Sequence, residues 1–169
     1  MMKVNFLAQE HRREPLKSDL LLGLCDPEGE RCAYSTTEHG EDKWCATVYN
    51  PDQKPMYFIA VDKNIVIHKD NGDLDSTCDG MIFIPKTREI SFVELKDYRV
   101  GGAIADAENQ LLSTISYFLA NHNYEDFHTR RAYICNPHHP NFAFSARERI
   151  REFRKKTHFR LMPQASIWL

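Results

Sequence analysis

The chain has 169 residues, 42% of them hydrophobic and 27% charged, with a formal net charge of −2. That composition suits one ordinary globular domain with its own apolar core. It leaves no room for a membrane helix, since no apolar run approaches the roughly 18–20 residues a bilayer requires, and the first ten residues lack the apolar stretch of an export signal. A cytoplasmic location with no membrane partner is therefore expected. The five cysteines, an odd count without an export signal, are expected to be reduced thiols.

In chain order, residues 10–42 are polar and carry few periodic signals. Ser18-Asp19-Leu20-Leu21-Leu22-Gly23 predicts a short helix capped by Ser18 or Asp19. Asp26-Pro27-Glu28-Gly29 predicts a turn. Residues 44–49 and 56–61 are apolar or β-branched runs around a Pro/Asn loop, and they predict a hairpin. Residues 64–68 extend that sheet. Residues 80–84 and 89–95 predict two further strands joined by Pro85-Lys86-Thr87-Arg88.

Gly101-Gly102 breaks the chain before a helix over 103–121, with Ile104, Ala107, Leu111, Ile115 and Phe118 at helical spacing. Residues 131–135 predict a strand, and Ser145 caps a helix reaching about Lys156. The tail has strand character interrupted at Pro163. The order predicts an α/β fold with a mixed central sheet flanked by helices, because a strand–helix–strand step favours a parallel pair. One domain is expected over 1–169, with a core at about 57–135, an N-terminal extension at 1–43 and a basic helix and strand at 145–169.

The sharpest chemical signal lies on the second hairpin. A turn centred between Lys86 and Thr87 sets Ile84 opposite Glu89 and Asp79 opposite Glu94. Directly opposed residues have Cβ atoms about 4.5–5.5 Å apart, and like charges so placed destabilise a sheet. At short range one of two carboxylates tends to hold its proton. A hard divalent cation, Mg²⁺ or Mn²⁺, removes both objections. Side chains alternate along a strand, so Lys96 projects on the same side as Glu94. An amine there stabilises charge building on a phosphoryl group, or helps to activate water.

These residues resemble the PD-(D/E)XK nuclease superfamily. Cys78-Asp79-Gly80-Met81-Ile82-Phe83 resembles the family's first aspartate at the start of its second core strand. Phe92-Val93-Glu94-Leu95-Lys96 resembles its Glu-x-Lys at the end of the third. The helix with Gln110 and Tyr117 is similar to the one that supplies a glutamine and a tyrosine in some branches, although here they stand seven apart rather than four. Cys78 occupies the place of the motif's proline. The resemblance covers about 57–135.

It implies a restriction-endonuclease-like core and a metal-dependent nuclease with Asp79, Glu94 and Lys96 as catalytic residues. The metal would be held by Asp79, Glu94 and the backbone carbonyl of Leu95. An acid from the first helix, Glu10 or Glu14, is an accessory candidate. The resemblance further implies nucleic acid as substrate, DNA ahead of RNA, in a setting such as bacterial defence or DNA repair. So small a chain predicts a homodimer or a partner subunit for targeting. Some members of the superfamily are inactive, so a non-catalytic binding module that keeps the fold is the alternative.

Residues 145–160 hold seven Lys and Arg against two Glu. Arg147, Arg151, Arg154 and Lys155 form either a phosphate-facing patch or a solvated helix face. Cys25, Cys32, His39 and Cys45 could bind Zn²⁺, but their spacing is wider than the usual paired knuckle and free thiols explain them better. Cys135-Asn136-Pro137-His138-His139 invites a metal reading, or a contact of His138 or His139 with phosphate near the sheet edge, but a loop with incidental histidines explains it better. Asp70, Asp73 and Asp75 lack the calcium-loop pattern; Asp75 is either an outer metal ligand or a turn residue. No phosphate-binding Gly-rich loop or nucleophile elbow is present.

Overall fold

A computed structural model describes residues 3–97, 104–138 and 147–169. The fold is mixed α/β, in three layers. The strands are β1 (Leu21–Cys25), β2 (Tyr34–Thr36), β3 (Ala46–Tyr49), β4 (Tyr57–Ala60), β5 (Gly80–Ile84), β6 (Glu89–Leu95), β7 (Thr129–Cys135), β8 (Arg160–Met162) and β9 (Ser166–Trp168). The helices are α1 (Ile104–Asn121) and α2 (Arg147–Thr157). No helix among the described residues is long and apolar enough to cross a membrane.

The middle layer is a five-stranded sheet in the order β4-β5-β6-β7-β8. β5 is antiparallel to β4 and β6, while β6, β7 and β8 run parallel. Strict alternation splits each strand between two cores. Met81, Phe83, Ile90, Phe92, Ala132 and Ile134 face α1 and α2. Ile82, Ile84, Val93, Leu95, Tyr133 and Cys135 face the second sheet. Both faces being covered explains why β5 and β6 read as continuous apolar runs rather than alternating ones.

The second sheet, ordered β2-β1-β3-β9, corrects three expectations. Residues 18–23 form no helix: Leu21–Cys25 is a strand, because Leu22 and Leu24 are fully buried against the middle layer while β2 and β3 take its backbone hydrogen bonds. Gly23 is what lets Trp44 lie across this strand. A Cβ there would stand 2.0 Å from the Trp44 ring. Gly23→Ala is expected to cost about 1–3 kcal/mol, the scale of overpacking, read as a lower urea midpoint with a blue- or red-shifted Trp44 emission. An unchanged midpoint and spectrum would reject this packing.

The expected hairpin of 44–49 with 56–61 is also absent. β3 pairs with β1 and β9, whereas β4 pairs with β5 in the other sheet. Residues 64–68 add no strand; His68 makes only an isolated bridge to Leu74. The helix and strand boundaries expected for 80–84, 89–95, 103–121 and 131–135 agree with β5, β6, α1 and β7 within a few residues. The tail's strand character divides at Pro163 into β8 and β9, one in each sheet. Ser145, expected as the α2 cap, and the Gly101-Gly102 break lie outside the described residues.

Candidate active site

The β5–β6 hairpin adopts the expected register. Ile84 lies opposite Glu89 and Gly80 opposite Val93. One step further the same register sets Asp79 across from Glu94. Phe92 and Met81 face the helices, so Glu94 and Asp79 continue that face at the end where β6 leaves the sheet. α1 is the next described element after β6, and Gln110 on its second turn reaches Lys96 beside the acids.

Both acids are buried, Asp79 at 7% exposure and Glu94 at 1%. Asp79 Oδ2 accepts a hydrogen bond from the Leu95 amide at 2.6 Å. Glu94 Oε1 meets Lys96 Nζ at 2.7 Å. Glu94 Oε2 is buried with no hydrogen-bond partner. Lys96 Nζ also donates to Gln110 Oε1 at 2.8 Å, and Gln110 Nε2 reaches the Thr77 carbonyl at 3.4 Å. Thr114 Oγ1, one turn further along α1, accepts from the Cys78 amide at 2.8 Å and fixes the chain entering Asp79.

Burial and mutual repulsion dominate the electrostatics. Loss of solvent raises the Glu94 pKa to about 9, with the Asp79 charge adding to it and the Lys96 ammonium opposing. Loss of solvent also raises Asp79 to about 7, helped by the charge of Asp26 and opposed by the Leu95 amide and Lys96. Near neutral pH the pair therefore shares protons unless a cation replaces them.

Asp26 was read in the sequence only as a turn residue. It directly follows β1, and packing of the second sheet on the middle layer brings its charge to act on both acids. Its own pKa is raised, by desolvation first. Asp62, which follows β4, adds a weaker negative charge at Asp79. The Asp-Pro turn signature carries no hint of this proximity.

The structure assembles Asp79, Glu94, Lys96 and Gln110 and leaves other candidates elsewhere. Leu95 contributes its amide to Asp79 while its side chain packs in the second core. Tyr117 is seven residues from Gln110, and its hydroxyl donates to Asp75 Oδ2 at 2.8 Å instead of reaching the acids. Asp75 thus anchors Tyr117, and it lines a groove of about 340 Å³ together with Gln110, Asp106 and Ser113. Glu14 is engaged away from the acids: it pairs with Lys17 at 2.9 Å, accepts from the Ser35 amide at 2.9 Å and bonds the Ser35 hydroxyl. No helix carries it, since the only helical turn nearby is the short 3₁₀ segment Gln9–His11; Glu10 is exposed beside His11.

The cysteine and histidine quartet is not gathered. Cys32 Sγ contacts the Lys63 carbonyl, Cys45 Sγ the Lys43 carbonyl, and His39 stacks on Trp44 at 4.1 Å. Among the described residues no three Asp, Glu, His or Cys side chains converge as a ready cation site. An ion at the acid pair would rest on two carboxylates and the chain's backbone. His138 pairs with Asp97 just beyond β6, and His139 lies outside the described residues. On α2, Arg147, Arg151, Arg154 and Lys155 are exposed, with Lys155 paired to Glu152 at 3.2 Å. No family model, no curated protein and no solved structure matches the chain.

Proposed function

We propose that the chain is a divalent-metal-dependent nuclease that hydrolyses phosphodiester bonds, with DNA the favoured substrate. The observation that carries this reading is the unsatisfied Oε2 of a buried Glu94 beside Asp79. A buried acceptor without a donor costs about 1–3 kcal/mol, and more when charged. An all-oxygen donor set of this kind suits Mg²⁺ or Mn²⁺. The order of β5, β6, α1 and β7, with the acids at the β6 end, supports a restriction-endonuclease-like core.

Asp79 and Glu94 would hold the ion, with the Leu95 carbonyl as a backbone ligand. The ion supplies Lewis-acid polarisation of the phosphoryl oxygen and lowers the pKa of water. Lys96 is held between Glu94 and Gln110, so its ammonium is aimed before substrate arrives. There it donates hydrogen bonds to the phosphoryl oxygens as charge builds, and orients the attacking water. Gln110 acts through Lys96 as a positioning residue. α1 and α2 both begin at this end of the parallel strands, and their N-terminal dipoles favour an anionic substrate there.

The test is hydrolysis of single-stranded, double-stranded and branched DNA and of RNA with Mg²⁺ or Mn²⁺. Wild type would be compared with Glu94→Ala and Lys96→Ala. Activity that survives both changes overturns the mechanism. Gln110→Ala should slow cleavage by about 10- to 100-fold through misplacement of Lys96, with the melting temperature almost unchanged. Equal rates for this variant and wild type would remove Gln110 from the site.

A further inference from the structure

At the opposite end of the middle sheet lies a second concentration of charge, of the other sign. Arg130, Arg131, Arg154 and Arg160, with His128 and His158, line a concavity of about 240 Å³ that contains no acidic side chain. Arg131 and Arg160 are direct neighbours across β7 and β8. Like charges placed opposite each other weaken a sheet, and β8 is its edge strand. None of these four arginines has a carboxylate partner among the described residues. Arg130 is fixed through neutral acceptors only, the carbonyls of His158, Tyr124 and Phe127 at 3.0, 3.0 and 2.8 Å. Arg131 likewise donates to the Trp168 carbonyl at 3.3 Å. Two of the four cations, Arg130 and Arg131, are thus positioned, and all four stand without a carboxylate among the described residues.

The fold links this pocket to the acid pair. β7 ends at the acid end, where Cys135 lies opposite Leu95 and accepts from the Lys96 amide at 2.7 Å. β8 is parallel to β7 and starts beside Arg131. α2, which joins them, must therefore run back from the acid end to the basic pocket. Arg147, Arg151 and Arg154 are spaced by four and three residues, which places them on one stripe of α2, and His158, just past the helix end, lines the pocket beside Arg154. The helix spans about 16 Å, which is about five phosphate steps of one duplex strand.

We propose that this pocket anchors the phosphodiester backbone of a nucleic-acid strand that runs from the acid pair along α2. The ligand class rests on the nuclease reading and extends it to a remote phosphate site. The concavity is smaller than the roughly 300–1,000 Å³ of whole-ligand pockets, so it accepts a phosphate group rather than an entire nucleotide. Its charged lining offers no apolar wall for a base, so the contact is indifferent to sequence.

The test uses the full chain in EDTA and fluorescein-labelled DNA of about 12 nucleotides, single-stranded and duplex, long enough to cover those phosphate steps. Arg131→Gln combined with Arg160→Gln should weaken binding by about tenfold and flatten the slope of log K against log salt by about 1–2. Arg154→Gln, an exposed single change on α2, should do the same to a smaller degree. Metal-supported hydrolysis of bis(p-nitrophenyl) phosphate, too short to reach the pocket, should stay unchanged in all three proteins. Unchanged DNA affinity and salt slope in both variants overturn the proposal, as does wild type that binds neither DNA. Thermal stabilisation by inorganic pyrophosphate that the double variant loses, with DNA affinity intact, also overturns it and makes this a small-anion site. Wild type that binds DNA but hydrolyses neither substrate refutes the nuclease reading alone.

Discussion

Glu94→Gln is expected to abolish cleavage and, in the same molecule, to stabilise the metal-free fold at alkaline pH. Loss of a group that organises charge at the reacting phosphate lowers the rate by about 1,000-fold or more. The stability gain comes from removing a buried charge whose Oε2 has no partner, worth about 1–3 kcal/mol. Its pH dependence has a fixed sign. An unfolded glutamate titrates near pH ~4.3, whereas Glu94 in the fold titrates near 9. Between those values the native state binds more protons than the unfolded one, so stability falls as pH rises.

Asp79 acts in the same direction, up to its pKa of about 7. The contribution is fully present below the unfolded value and is lost by the time pH passes the folded one. Urea midpoints in EDTA at pH 5 and pH 8 should therefore differ in wild type and differ less in Glu94→Gln, where Asp79 alone of the pair still titrates. Mg²⁺ should raise the pH 8 midpoint of wild type and leave that of the variant nearly unchanged. A wild-type midpoint that does not fall with pH, or an equal Mg²⁺ response in both, would refute the electrostatic account of the pair.

Phe118→Ala is the expected largest loss of stability. Phe118 is fully buried on α1. Its ring lies 5.2 Å from Phe92, 5.3 Å from Phe127, 5.7 Å from Phe6 and 6.2 Å from Phe159. It also stacks on His122 at 4.5 Å. Truncating such a ring removes apolar burial and leaves a cavity, at about 3–5 kcal/mol. Because domains are stable by only about 5–15 kcal/mol, the variant should be partly unfolded at physiological temperature. The effect should also reach the site, since α1 carries Gln110 and Thr114. Chemical denaturation gives the magnitude; a loss under about 1 kcal/mol would mean the helix-facing core does not pack as described.

The acid pair was legible because everything that sets it is local. Two apolar runs flank a short turn, and one register satisfies both the turn and the burial of Met81 and Phe92. The second sheet was not legible. The run Leu20-Leu21-Leu22-Gly23-Leu24 fits either a buried strand or a short helix by periodicity alone. Only its pairing with β2 and β3 decides. The parallel pairing of β3 with β9 joins residues more than a hundred positions apart, and no local signal announces it.

Tyr117 shows what helical spacing leaves open. Seven residues return a side chain to nearly the same helix face, so Gln110 and Tyr117 share a stripe. The same seven residues advance about 10 Å along the axis. That carries Tyr117 past the acids to Asp75, while Gln110 remains beside Lys96. Asp26 was missed for the opposite reason: its proximity to Asp79 comes wholly from how one sheet lies on another.

β6 is the central strand of the central layer, bonded on one side to β5 and on the other to β7. Residues 89–93 are paired on both flanks, Glu94 and Leu95 keep their pairing with β7, and a core lies above and below the strand. Local breathing cannot free such a strand, so Glu94 is released only when the whole domain opens. The alignment of the two acids and the folding of the domain are therefore expected to share one cooperative transition.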